Sequence, residues 1–109
     1  MVKQYEIINV DLDPTKGNEK GKKRPCLIVS NTEFVNITKF AWVLPITGRG
    51  LKYPTDIELK TKENKIYGII DCAQIRYLDL QARPYEYVDA LDNSVILSIK
   101  DVVCSILGQ

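Results

Sequence analysis

Tyr5-Glu6-Ile7-Ile8-Asn9-Val10-Asp11-Leu12 sets the frame for reading the chain. Ile8, Val10 and Leu12 fall on one face of an extended segment and Tyr5, Asn9 and Asp11 on the other, the alternation of a half-buried strand. Asp13-Pro14-Thr15 ends it, and a polar loop with Gly17 and Gly21 runs from Pro14 to Lys23. Beyond the loop, Cys26–Ser30, opened by Pro25, reads as a short, continuously apolar strand. Lys39–Ile46 reads as another, with Phe40, Trp42 and Leu44 in alternation. Thr47-Gly48-Arg49-Gly50 follows as a turn whose two glycines allow close approach of backbone to a ligand. Further strands are predicted at Asp56–Leu59, Ile66–Cys72, Gln74–Leu78 and Tyr85–Leu91. Short strands with brief connections suggest a compact barrel or a strongly curved sheet. The last segment changes period. Asp92 or Asn93 can cap a helix, Val95, Ile99, Val102, Val103 and Ile106 recur at helical spacing, and Gly108 sits where a helix would stop. β-Branched residues argue for strand on propensity, but the period is nearer that of a helix.

The 109 residues are enough for one domain, taken here as 1–109, with one modest core. A hydrophobic share of 45% and a charged share of 27% exclude a disordered tail protein. No apolar run approaches the roughly 20 residues needed to span a bilayer, and Met1–Glu6 lacks the apolar core of a secretion signal. The expected location is therefore the cytoplasm, away from membranes. Cys26, Cys72 and Cys104 lie far apart without a CxxC pair, which fits neither a disulfide framework nor a zinc site. Each has apolar neighbours and is expected to act as a small buried hydrophobe. The chain has no histidine, which removes the commonest acid–base catalyst and metal ligand. No metal site and no cofactor is expected.

The net charge is only +1, but its distribution is uneven. From Lys16 to Arg24 the cations Lys16, Lys20, Lys22, Lys23 and Arg24 face one carboxylate, Glu19. From Phe34 to Thr55, Lys39, Arg49 and Lys52 have no carboxylate among them. A local positive face attracts phosphate even on a near-neutral molecule; solvated loop charges without a partner explain such a patch equally well. The most suggestive constellation is Glu19 and Arg24 in the basic loop with Thr47 at a strand end. If the two strands adjoin, Arg24 at the start of one meets Thr47 at the end of the other. Residue types alone leave the plainer alternatives open: a solvated Glu19, a surface ion pair for Arg24, a turn hydroxyl for Thr47.

Four segments in order carry a family resemblance. Val10-Asp11-Leu12-Asp13-Pro14-Thr15-Lys16-Gly17-Asn18-Glu19, followed by Arg24-Pro25, resembles the V-D-x-D-P-T-x-G-S-E and R-P signature of the MazF/PemK toxins. Leu44-Pro45-Ile46-Thr47 is similar to the family's P-I-T strand end, and Tyr53-Pro54 to its Y-P pair. Gln74-Ile75-Arg76-Tyr77-Leu78-Asp79 resembles its Q-V/I-R segment, with Arg83 beyond it. The match covers nearly the whole chain. It implies a mainly β fold, an SH3-like small β-barrel of the CcdB/MazF type with a C-terminal α-helix, working as a homodimer. It further implies a ribosome-independent endoribonuclease of a type II toxin–antitoxin system. Such an enzyme cuts single-stranded RNA without metal, leaves 2′,3′-cyclic phosphate and 5′-hydroxyl ends, and is neutralised by a cognate antitoxin with an acidic, extended C-terminal segment.

The resemblance maps the catalytic arginine and threonine onto Arg24 and Thr47, the loop glutamate onto Glu19, and a base-contacting glutamine onto Gln74. The candidate RNA contacts are Lys16, Asn18, Lys20, Lys22, Lys23, Arg49, Tyr53, Gln74 and Arg76. Cleavage through RNA's own 2′-hydroxyl needs no outside nucleophile. It needs charge stabilisation on a pentavalent phosphate, which a guanidinium with five donors suits. The chain departs from the family pattern at Lys22 (often glycine), Tyr5-Glu6 (Gly-Asp), Ala73 (an acid before the glutamine) and Gly48 (Ser or Ala). These departures bear on the cut sequence and base reading. Two other readings compete: a non-catalytic poison of DNA gyrase like CcdB, which has no use for Glu19, Arg24 and Thr47 together, and an RNA-binding barrel without turnover. The basic loops hold few aromatics apart from Tyr53, a poor platform for strong single-strand binding alone.

Overall fold

The computed structural model describes residues 2–12 and 23–108. Its elements in order are β1 (Glu6–Asp11), β2 (Lys23–Ile28), α1 (Thr32–Thr38), β3 (Phe40–Thr47), β4 (Asp56–Glu58), β5 (Ile69–Asp71), β6 (Arg76–Asp79), β7 (Tyr85–Ala90) and α2 (Asn93–Ile106). Each strand expected from the sequence is present, with shifted ends. The one element not anticipated is α1. Its seven residues are too few to display a helical period, and Thr32, Val35, Ile37 and Thr38 are β-branched. Its caps are clear in space: the Asn31 side chain accepts from the Phe34 amide, and Lys39 closes it with φ 63°.

The strands form an antiparallel sheet in the order β4-β5-β3-β2-β1-β7, with β6 also paired to β3. The two ends of that order approach each other without a continuous ladder. They meet at a bridge between Thr61 and Leu91, flanked by hydrogen bonds from the Lys62 amide to the Ala90 carbonyl and from Asp92 to Lys60. The result is a barrel-like, incompletely closed sheet with a C-terminal helix, as expected. No helix among the described residues is long and apolar enough to cross a membrane.

Strand alternation divides the interior in two. Ile8, Val10 and Leu12 pack with Cys26, Ile28, Ala41, Val43, Leu78 and Leu80 under Val35 of α1. The opposite face contributes Ile7, Leu27, Leu44, Ile46 and Ile70, covered by Val95 and Ile99 of α2. Full burial of each such aliphatic side chain contributes about 1.5–3 kcal/mol before conformational entropy. In α2 the expected stripe holds for Val95, Ile99, Val102 and Val103, while Ile106 at the last turn is exposed. Asp92 is the N-cap, accepting from the Ser94 amide, and Gly108 past the end takes φ 83°.

The cysteine expectation needs one correction. Cys26 and Cys72 are buried, but Cys104 lies on the exposed side of α2. Its apolar sequence neighbours Val102 and Val103 turn toward the core and it does not. Burial pushes the Cys26 thiol up to about 12, against an opposing effect of Arg76, and that of Cys72 to about 11.

Candidate active site

The register of β2 against β3 pairs Leu27 with Leu44 and Cys26 with Pro45. Continued two residues, it sets Arg24 across from Thr47, the meeting that the sequence made conditional on adjoining strands. Arg24, Pro25, Pro45, Ile46, Thr47, Gly48, Tyr67, Asp71 and Gln74 line one open cleft of about 400 Å³. Arg24 is exposed and Thr47 half-buried.

Thr47 is held from two directions. Its Oγ1 accepts the Arg49 amide at 3.2 Å, which leaves the hydroxyl hydrogen available to a ligand. Its backbone pairs with Ile69 of β5. Just before that strand, Gly68 takes φ 150°, and a Cβ there would lie 2.7 Å from the Thr47 carbonyl oxygen. Gly68 is therefore the glycine that packing requires near the site. Cβ atoms added at Gly48 or Gly50 would meet nothing within 4 Å.

Arg49 serves the framework. Its guanidinium grips both carboxylate oxygens of the buried Asp56, with Nη2 to Oδ1 at 2.9 Å, and reaches Asp71 at 3.3 Å. Asp56 also accepts the amides of Lys52 and Tyr53, each at 2.9 Å. The hydrogen bond with Arg49 holds the Asp56 carboxyl well below the usual carboxylate range, against the effect of burial. The same pair raises the Arg49 guanidinium further. The Tyr53 ring has Arg49 and Lys52 each 5.4 Å from its centre.

Of the candidate site residues, Arg24, Thr47 and Gln74 share the cleft, whereas Arg49, Tyr53 and Arg76 are outside its lining. Arg76 donates to the Leu12 carbonyl at 3.1 Å. Arg83 donates to the carbonyls of Asp11 and Leu12 at 2.6 and 2.8 Å. Both guanidiniums thus tie down the end of β1. Lys23 pairs with Asp11 across the β1–β2 ladder, and its ammonium lies 3.9 Å from Glu86. Glu19, Lys16, Asn18, Lys20 and Lys22 lie outside the described residues. Among the described residues no group of three or more Cys, Asp or Glu side chains is arranged to hold a metal ion.

Two cleft residues were missed in the sequence. Tyr67 is 77% exposed on the cleft wall, and Asp71 is the carboxylate in the lining. An aromatic next to Gly68 and directly before an apolar strand was the available signal for Tyr67; Asp71 gave none.

Residues 3–107 match the model of a family described as PemK-like, MazF-like toxin of type II toxin–antitoxin system. The chain belongs to the PemK/MazF toxin family. It is 30% identical over 105 residues to Endoribonuclease PemK of Escherichia coli, covering 94% of this chain and 79% of that protein. The family is one of RNA-cleaving enzymes. MazF from Deinococcus radiodurans superimposes with a TM-score of 0.83 at 23% identity, covering 99% of this chain and 97% of that one. An endoribonuclease in complex with its cognate antitoxin from Mycobacterial species gives 0.80 at 18% identity, covering 99% and 96%. These likenesses extend the PemK/MazF fold over essentially the whole chain.

Proposed function

We propose that this chain is a ribosome-independent endoribonuclease toxin that cuts single-stranded RNA at a short specific sequence without a metal ion. The convergence of Arg24 and Thr47 on one cleft through the β2–β3 register carries this reading. In the reaction, the ribose 2′-oxygen attacks the adjacent phosphorus while the bond to the 5′-oxygen breaks. The products are a 2′,3′-cyclic phosphate and a 5′-hydroxyl end, and no water or metal-bound hydroxide enters. Arg24 and the Thr47 hydroxyl donate to the phosphoryl oxygens as negative charge builds on them. Glu19 takes the 2′-hydroxyl proton, and Arg24 acts as the acid that gives a proton to the leaving 5′-oxygen, which departs as the 5′-hydroxyl. A gyrase poison has no use for such a pair of phosphate donors, which favours RNA cleavage over that alternative.

The protein is proposed to act as a homodimer held in check by a cognate antitoxin whose acidic, extended segment competes with RNA for Arg24 in the cleft. An apolar groove of about 400 Å³ lined by Val29, Phe34, Trp42, Ile75, Val103 and Leu107 supports the two-fold contact. The antitoxin-bound structure of the Mycobacterial relative supports the partner.

The test is incubation of purified protein with long single-stranded RNA in EDTA, followed by sequencing and end-group analysis. Cleavage at a recurrent short sequence with cyclic phosphate ends is expected. Arg24→Ala and Thr47→Ala should each lower the rate by about 10²–10³. No cleavage by the wild type, or undiminished cleavage by both variants, would overturn the reading.

A further inference from the structure

The cleft has two walls of unlike chemistry. On one side, Arg24 and Thr47 offer donors suited to a phosphate. On the other, Tyr67, Asp71 and Gln74 come from β5 and its flanks. They supply an exposed aromatic ring, a carboxylate and an amide. None of these three is a cation, so this wall is poorly suited to phosphate and well suited to a nucleobase.

Asp71 is the informative member. Its side chain is 16% exposed, and its oxygens receive two hydrogen bonds, from Arg49 Nη2 to Oδ2 and from the Ala73 amide to Oδ1, each at 3.3 Å. An ionised carboxylate has about four lone-pair positions and donates nothing, so accepting capacity remains on each oxygen. Adenine, cytosine and guanine each carry an exocyclic amino group that can donate to it. The uracil edge has carbonyl oxygens on both sides of one N–H, and a carboxylate repels them. Gln74 adds a donor for the ring nitrogen or carbonyl beside the amino group, and the Tyr67 ring offers a face for stacking.

Granted RNA cleavage at this cleft, as proposed above, we infer that Tyr67 and Asp71, beside the Gln74 that the resemblance already assigns to base contact, form a base-reading subsite next to the scissile phosphate. Tyr67 stacks on the base, and Asp71 selects one that carries an exocyclic amino group over uracil.

The test cleaves a randomised single-stranded RNA pool with wild type, Asp71→Asn, Asp71→Glu, Tyr67→Ala and Tyr67→Phe, and sequences the ends. Wild type should deplete uracil at one position flanking the cut. Asp71→Asn, whose amide can also donate, should admit uracil there, relaxing that preference about 10-fold or more, with a much smaller fall in rate on the best wild-type sequence. Asp71→Glu keeps the charge and should keep the exclusion of uracil. Tyr67→Ala should raise KM about 10-fold or more while Tyr67→Phe does not. An unchanged preference in Asp71→Asn overturns the inference and leaves RNA cleavage standing. So does an equal loss of kcat on every sequence together with loss of the acidic limb of the pH profile, which would make Asp71 a proton carrier. An inactive wild type overturns both readings.

Discussion

The two walls of the cleft are built by different means. The phosphate wall is an extension of sheet register: Arg24 and Thr47 are opposed because Leu27 faces Leu44 and Cys26 faces Pro45 inside the buried ladder. The base wall hangs on side-chain chemistry. Asp71 ends a three-residue strand and is braced by Arg49, which Asp56 holds in turn. A ladder flanked by two packed cores cannot shift by less than a whole residue, so the first wall is fixed for chemistry. A salt-bridge network can be retuned by one substitution, so the second wall is free to vary in what it reads.

The strongest way to break this contrast is at Gly68, where the walls touch. Gly68→Ala must displace the Thr47 carbonyl, 2.7 Å from the new Cβ, and adopt a backbone angle unfavourable to alanine. A misplacement approaching 1 Å is expected to lower the cleavage rate by about 10²-fold, with a loss of about 1–3 kcal/mol in urea unfolding. Gly48→Ala on the same cleft meets nothing within 4 Å and should leave unfolding nearly unchanged. Equal behaviour of the two variants would show that Gly68 does not position Thr47.

A smaller effect is expected from Asp56→Asn, which weakens the grip on Arg49. The Asp56 pKa is lowered in the folded protein. The stability it contributes is therefore complete above the unfolded carboxylate value of about 4, and it drains away as pH falls below that. Urea midpoints measured from about pH 2 to about pH 6 should rise steeply with pH in the wild type and less steeply in Asp56→Asn. At neutral pH the variant should retain turnover while its cut-sequence preference broadens, because Arg49 no longer braces Asp71 firmly.

The finest comparison uses cysteines already in the chain, one behind each wall. Cys26 sits two residues past Arg24, and Cys72 follows Asp71. In a Cys104→Ser background, thiol labelling should be slow at both, since both are buried with raised pKa values. Asp56→Asn should speed labelling of Cys72 and leave Cys26 unchanged. Equal acceleration at both would mean that the walls open together.

The pairing of Arg24 with Thr47 was legible in the sequence as a possibility, and the grouping of Tyr67, Asp71 and Gln74 largely was not. The apolar strands at Cys26 and Lys39 were readable, but whether they adjoin was not, and the β2–β3 register is what sets Arg24 across from Thr47. The base wall depends on contacts from residue 49 to 56 and 71, which leave no periodic trace. Arg49 looked like a free cation in a carboxylate-free stretch because both of its partners lie beyond Thr55. Tyr67 lies outside the basic loops and flanks an apolar strand, where an aromatic is indistinguishable by pattern from a core residue. Cys104 shows the same limit, since apolar neighbours along a helix say little about which way one side chain points.

β1 carries a constraint that reaches beyond this molecule. It is a single six-residue strand whose odd and even positions feed different cores, Ile7 one and Ile8 and Val10 the other. Deleting or inserting one residue there would exchange the two sets and spoil both interiors at once. Lineages of such toxins can therefore diverge in their loops and in the composition of their walls, but β1 is expected to be nearly frozen in length.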